Sequence, residues 1–201
     1  QSEKNKDTQI IKGEPTDSEK IKLAGIFDPE EFGLSLDMWS DSNGKIIKSI
    51  LKKIDKTRIS EDSKEILSIA LLTNSYIPQK NITTEEFLDF KTKYLIKSED
   101  LNLIKLFISK NKELENNDSL IIYYLDQNLS SSDLESACSI FDEVINYSSE
   151  YISKFKIYCL YNENKKNEAQ LLFDLKKELG FNDESFENKF NLLMGLSSKN
   201  N

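Results

Sequence analysis

Residues 132–180 read SDLESACSIFDEVINYSSEYISKFKIYCLYNENKKNEAQLLFDLKKELG, and two segments of this stretch match in register. Ala137 to Asp142 is ACSIFD, and Ala169 to Asp174, 32 residues later, is AQLLFD. Each pairs a small residue with a Phe four positions on, which places both side chains on one helix face. The small residue lets a helix approach its partner closely, and the Phe fills the gap to the next pair. Leu103 and Phe107 stand 34 residues before Ala137 and Phe141. Helix starts near Thr84, Asp118, Ser149 and Asp183 follow at steps of 34, 31 and 34 residues. A period of about 34 residues with this small–aromatic pairing is the mark of tetratricopeptide-like helical hairpins. The reading is an all-α, tetratricopeptide-like α-solenoid of about nine helices. A generic bundle whose hairpins share a length is the alternative. Three departures from the pattern favour that alternative: Ile157 and Lys176 stand where small residues are expected, and no Pro follows Gly180.

Outside this stretch the signals are also helical. Ser42 or Asn43 can cap a first helix from Gly44 to Ile54, with Ile46, Ile47, Ile50, Leu51 and Ile54 on one face. A second is predicted from Ser60 to Ser75 and is followed by Pro78. Thr83 with Glu86 forms a capping box for a third helix to about Lys97, and Ser98 starts a fourth. A fifth opens at Asp118. Ser132 with Glu135 is read as a capping box for a sixth helix that runs through Ile145. A seventh runs from Ser148 or Ser149 to Tyr161, an eighth from Lys165 to Leu179, ended by Gly180. The ninth begins at Asp183 and stops at Gly195. Four regions follow: a flexible polar tail over 1–25, an aromatic docking or lid segment over 26–43, the repeat domain over 44–196, and a polar end over 197–201.

The 201 residues carry 27 basic and 35 acidic side chains, a net charge of -8, which speaks against a nucleic-acid surface. Arg58 is the single Arg beside 26 Lys, so no Arg clamp can be built. The absence of His removes His-dependent triads and imidazole metal sites. Six Gly, at 13, 25, 33, 44, 180 and 195, form neither a dinucleotide fingerprint nor a phosphate loop. Asp41 to Ile46 copies the middle of a calcium loop, but Trp39 and Ile50 occupy the positions that need carboxylates. A polar helix cap is the better reading. Ser49 and Lys52 have a Ser-x-x-Lys spacing with no supporting motif. No metal, cofactor or catalytic residue is therefore expected.

Two cysteines leave a choice open. If the sixth and seventh helices turn near Tyr147 and Ser148, Cys138 and Cys159 lie 10 and 11 residues from the turn. At about 1.5 Å per residue both sulfurs then sit at the same height, and a disulfide is possible if the helix phases agree. Two unbonded core thiols are the other outcome. Trp39, the single Trp, closes the block FGLSLDMW over 32–39. We favour a lid in which Phe32, Leu34, Leu36 and Trp39 fold over the first two helices, against an anchor for a partner.

The stretch Phe155 to Leu196, with IYCLYNENKKNEAQLLFDLKKELGFNDESF, resembles a segment of large uncharacterised secreted helical-repeat proteins of Gram-negative bacteria. FGLSLDMW with the Lys- and Ile-rich first helix is similar to their N-terminal region. The resemblance implies an α-solenoid and a periplasmic or secreted location, and carries over no functional residue. Those relatives are longer, so on this resemblance the chain is a short version or a piece. Its start on Gln1 rather than Met fits a processed or trimmed chain, and no run of apolar residues is long enough to span a membrane.

The functional expectation is a non-enzymatic interaction module for a protein or peptide partner, of unspecified oligomeric state. Candidate contact residues are Trp39, Tyr158, Tyr161, Phe186 and Phe190; the last two either cap the stack or form a patch. The alternative is an envelope-associated enzyme or accessory subunit acting on polysaccharide through carboxylates such as Asp89, Asp126 or Glu143.

Overall fold

The computed structural model describes residues 23–114 and 117–196. Most of the expected tail, residues 1–22, and the polar end at 197–201 lie outside the described residues.

Nine α-helices lie among the described residues: α1 (Gly44–Asp55), α2 (Glu61–Leu72), α3 (Thr84–Ser98), α4 (Leu101–Lys110), α5 (Asp118–Ser130), α6 (Leu134–Ser139), α7 (Glu150–Asn162), α8 (Lys166–Glu178) and α9 (Glu184–Met194). The chain is mostly helical, as expected. A feature absent from the sequence reading is a short antiparallel pair, β1 (Leu23–Ala24) with β2 (Ser75–Tyr76), in the register Leu23 to Tyr76 and Ala24 to Ser75. The folded part therefore begins before residue 26, because Ala24 is fully buried.

Caps explain most boundaries. The Thr83–Glu86 capping box forms in full, Thr83 accepting from the Glu86 N–H at 3.2 Å and Glu86 from the Thr83 N–H at 3.0 Å. Asn43 caps α1 through the Lys45 N–H at 3.0 Å, so the calcium-like run is a helix start. Asp100 rather than Ser98 caps α4, and Glu99 before it is left-handed, at φ 56°. Asp133 rather than Ser132 caps α6, accepting from Ser136 N–H at 2.9 Å; Ser132 is itself left-handed, at φ 61°.

α6 also stops at Ser139 instead of running through Ile145, tightening into a 3-10 turn over Ile140–Asp142. Tertiary contacts set this end. Ile140 and Val144 enter the core, and Asp118 at the start of α5 captures the following segment. Its carboxylate accepts from the Ser148 N–H at 3.1 Å, the Ser148 hydroxyl at 2.7 Å and the Ser149 N–H at 2.7 Å. Three donors on one side chain fix where α7 begins. Asp118→Ala is expected to lower stability by about 1–3 kcal/mol in urea titration, with Asp118→Asn losing less.

Packing is sequential. α3 lies against α4 and α5, α4 against α5, α5 against α6 and α7, and α7 against α8. Ala137 and Ala169, the small residues of the repeated segments, are both fully buried. The largest core cluster runs from Ala24 and Ile26 through Leu72, Leu95, Phe107 and Leu125 to Ile152. A second joins α7, α8 and α9 through Ile157, Ala169, Phe173, Phe181 and Phe190. A third is small: Ile47, Ile77, Ile82 and Phe87, under Trp39. α1 buries only half of its expected apolar face. Ile47 is 7% exposed, whereas Ile46 and Ile50 are 59% and 51% exposed. The expected face, Ile46, Ile47, Ile50, Leu51 and Ile54, spans an arc of about 140° at ~100° per residue, wider than the contact with α3 and Trp39 can cover.

Candidate functional site

A cavity of about 880 Å³ opens where the end of α1, the connection Lys56–Ile59, the start of α2 and the second half of α3 meet. Leu51, Ile54, Leu67, Leu71, Phe90 and Tyr94 give it an apolar floor. Each comes from the helical spacing that turns α1, α2 and α3 toward one another. The rim is charged. Lys52, Lys56, Arg58, Lys64, Lys93 and Lys97 line it with only two carboxylates, Asp55 and Glu61. The wall thus holds a surplus of four positive charges in a chain whose net charge is -8.

Local interactions build the rim. Ser60 caps α2 by accepting from Ser63 N–H at 3.3 Å, and Thr57 donates its hydroxyl to Lys53 O at 2.8 Å, which together shape the connection. Tyr94 Oη donates to Lys64 O at 3.2 Å and ties α3 to α2. Lys97 Nζ reaches Asp55 Oδ1 at 2.7 Å and ties α3 to α1. That hydrogen bond, with the Lys97 charge, lowers the Asp55 pKa from its ordinary value. Lys64 pairs with Glu61 at 2.7 Å, and Lys93 with Asp89. Among the described residues no carboxylate stands within ion-pair distance of Lys52, Lys56 or Arg58. Three cations over an apolar floor can attract an anion and bury a hydrophobic anchor beneath it.

The residues chosen from sequence do not assemble into one site. Trp39 stands edge-on to Phe87 with ring centroids 5.6 Å apart, half-buried over the Ile47–Phe87 cluster. It covers α1 and α3 rather than α1 and α2. Tyr158 is 38% exposed on α7 beside Phe155, and Tyr161 is half-buried against the α7–α9 cluster with Lys166 over its ring. Phe190 corrects an expectation. It is 2% exposed, 4.9 Å from Phe173 by ring centroids, and so offers no face to a partner. Phe186 is half-buried and stacks on Phe190 at an interplanar angle of 7°, so α9 finds its partner within the chain. Exposed apolar residues remain at Leu171, Leu175 and Leu179 of the α8 region and at Leu192 and Leu196.

Cys138 on α6 and Cys159 on α7 are joined by a disulfide, with Cα atoms 5.5 Å apart. It crosses between the α5–α6 and α7–α8 pairs. The carboxylates considered for catalysis each hold a different partner. Asp89 pairs with Lys93, Glu143 with Lys112 at 2.8 Å, and Asp126 accepts from Tyr151 Oη at 2.6 Å. Burial and that hydrogen bond push the Tyr151 phenol up to about 12. No group of three or more His, Cys, Asp or Glu among the described residues could hold a metal ion, and no helix among them is long and apolar enough to cross a membrane.

The cavity left no sequence signal beyond many Lys on three helices. Its cations spread over 45 residues of the chain, from Lys52 to Lys97, and only the meeting of α1, α2 and α3 gathers them. No family model matches this chain, and no curated protein or solved structure was found to match it.

Proposed function

We propose that the protein is a non-catalytic, tetratricopeptide-like helical-hairpin module that binds a protein partner through an acidic segment carrying an apolar anchor. The observation that carries this reading is the cavity of α1–α3, with Lys52, Lys56 and Arg58, none within ion-pair distance of a carboxylate among the described residues, over Leu67, Phe90 and Tyr94. The hairpin reading is supported by helix starts at Thr84, Asp118, Glu150 and Glu184 and by the buried small residues Ala137 and Ala169. In such arrays each pair buries its apolar side against its neighbours and leaves a concave surface for ligands. The charge surplus in the wall favours a carboxylate-rich ligand, and the floor favours an aliphatic or aromatic side chain. We place the protein in an oxidising compartment, periplasmic or extracellular, a reading that the Cys138–Cys159 bond favours.

The test is fluorescence anisotropy with labelled peptides: Asp/Glu-rich with one central Phe, the same without the Phe, and a Lys-rich counterpart. The expected result is saturable binding of the first alone, weakening as salt rises. The double charge reversal Lys52→Glu with Arg58→Glu is expected to weaken that binding by about tenfold or more. Equal binding of all three peptides, or no loss in the double variant, would remove the cavity as the site. Preference for inorganic phosphate over the acidic peptide would do the same for the protein-ligand reading.

A further inference from the structure

The segment Leu23–Phe27, a strand over Leu23–Ala24 that bends at Ile26, is gripped by side chains as well as by β-pairing. Three successive carbonyls each accept from a different group: Ala24 O from Lys91 Nζ at 2.8 Å, Gly25 O from Asn111 Nδ2 at 2.9 Å, and Ile26 O from Lys110 Nζ at 2.8 Å. Asn111 Oδ1 also accepts from the Gly25 N–H at 3.0 Å, so one amide engages both main-chain groups of residue 25. Backbone bonds complete the grip, Ile26 N–H to Leu72 O at 2.6 Å and Asn74 N–H to Phe27 O at 2.9 Å.

Two of the three gripping side chains belong to the interior, while Lys110 reaches Ile26 O from an exposed position. Lys91 is fully buried and Asn111 is 7% exposed. Asn111 is itself fixed by a second bond from Nδ2 to Phe107 O at 2.7 Å. Ala24 and Ile26 point into the main core, and position 25 between them has no room for a side chain. A Cβ there would lie 2.5 Å from the Thr73 carbonyl carbon and closer still to the Asn74 backbone. Fixed donors for the main chain, buried places for Ala24 and Ile26 and a Gly-only position are the parts of a site that recognises a peptide through its main chain, with strand addition at Leu23–Ala24. The link from this segment to α1 is largely exposed, at Asp28, Glu30 to Gly33 and Ser35 to Asp37.

We propose that the trough between α3, the end of α4 and the Thr73–Tyr76 edge is a peptide-binding site, that residues 23–27 are its resident ligand, and that the same segment of a second copy of this chain can replace them. The ligand chemistry is aliphatic–Ala–Gly–aliphatic–aromatic, extended over its first two residues and bent at the fourth. In dilute solution the tethered segment wins by its local concentration; crowding of copies opens the exchange. This inference is independent of the basic cavity.

The experiment uses the full chain with a protease recognition sequence placed after Gly33, cut in the native state. A labelled peptide of residues 22–28 is then added in excess. Stoichiometric exchange with the cut fragment is expected. A Gly25→Val peptide is expected to bind about 100-fold more weakly, and an Asn111→Ala host about tenfold more weakly with its helical dichroism intact. Uncut copies carrying two different labels are expected to exchange segments into a dimer at millimolar concentration. Retention of the cut fragment against excess peptide, equal binding of the Gly25→Val peptide, or collapse of the helical signal when the fragment leaves would each overturn the proposal. Uncut copies that stay monomeric at that concentration would overturn the second copy as ligand.

Discussion

Replacing Lys91 with Met is expected to stabilise the fold at neutral pH and to remove a slope from its stability against pH. The Lys91 amine is fully buried in α3, its hydrogen bond runs to the neutral Ala24 carbonyl, and the Phe87 ring lies 5.3 Å away. Burial alone lowers its pKa from 10.5 to about 7. Below about pH 7 the amine is charged in both folded and unfolded chains, and the fold carries the full penalty of the buried charge. Between about pH 7 and 10.5 the unfolded chain holds a proton that the folded chain lacks. Stability therefore rises with pH across that window, by up to about 1.4 kcal/mol per unit. Across the window this amounts to roughly 4–5 kcal/mol. Lys91→Met removes the penalty and also the bond to Ala24 O, which is worth about 1–2 kcal/mol. A net gain of about 2–3 kcal/mol at pH 7 follows. Urea titrations of both proteins at pH 6 to 10 check it, and comparing the two slopes cancels the tyrosines. Parallel slopes, or a less stable variant at pH 7, would show that the ammonium stays charged and satisfied.

Reduction of the Cys138–Cys159 bond is the second large effect. The bond closes a loop with a sequence separation of 21 and ties α6, only six residues long, to α7. A loop of this size limits the unfolded chain by about 3 kcal/mol. α6 has little intrinsic helix stability at that length, so the tie carries more of its order than it would in a long helix. The pair Cys138→Ala with Cys159→Ala is expected to lower Tm by about 6–12 °C. Thiol titration of denatured, unreduced protein should find no free thiol, and the oxidised and reduced forms should differ in Tm by the same amount. Two free thiols in protein taken from its own cell would remove both the effect and the oxidising compartment.

Helix existence was legible because it rests on local rules. Thr83 with Glu86, Asn43 before Gly44 and Gly195 after Met194 act within four residues, so sequence spacing suffices. What depended on distant contacts was read less well. The end of α6 follows from Asp118 holding Ser148 and Ser149, some 30 residues away. The burial of Ala24 depends on β2, Lys91 and the Asn111 grip on its neighbour, none of which has a period to detect. Sequence leaves open whether Phe190 caps the stack or forms a patch, because the choice rests on tertiary contacts with Phe173 on α8 and with Phe186, itself against Phe181. The candidate site was the least legible part. Lys is so common in this chain that a rim of six basic side chains does not stand out until three helices bring them together.

The most direct test of the central reading is an amide NMR titration of the full chain with the acidic, Phe-bearing peptide. The account expects saturable shifts clustered at Leu51 to Ile59, at Lys64 to Leu71 and at Phe90 to Ser98, the residues around the cavity. Shifts centred instead on Tyr158 and Tyr161, or an unchanged spectrum at saturating peptide, would contradict it.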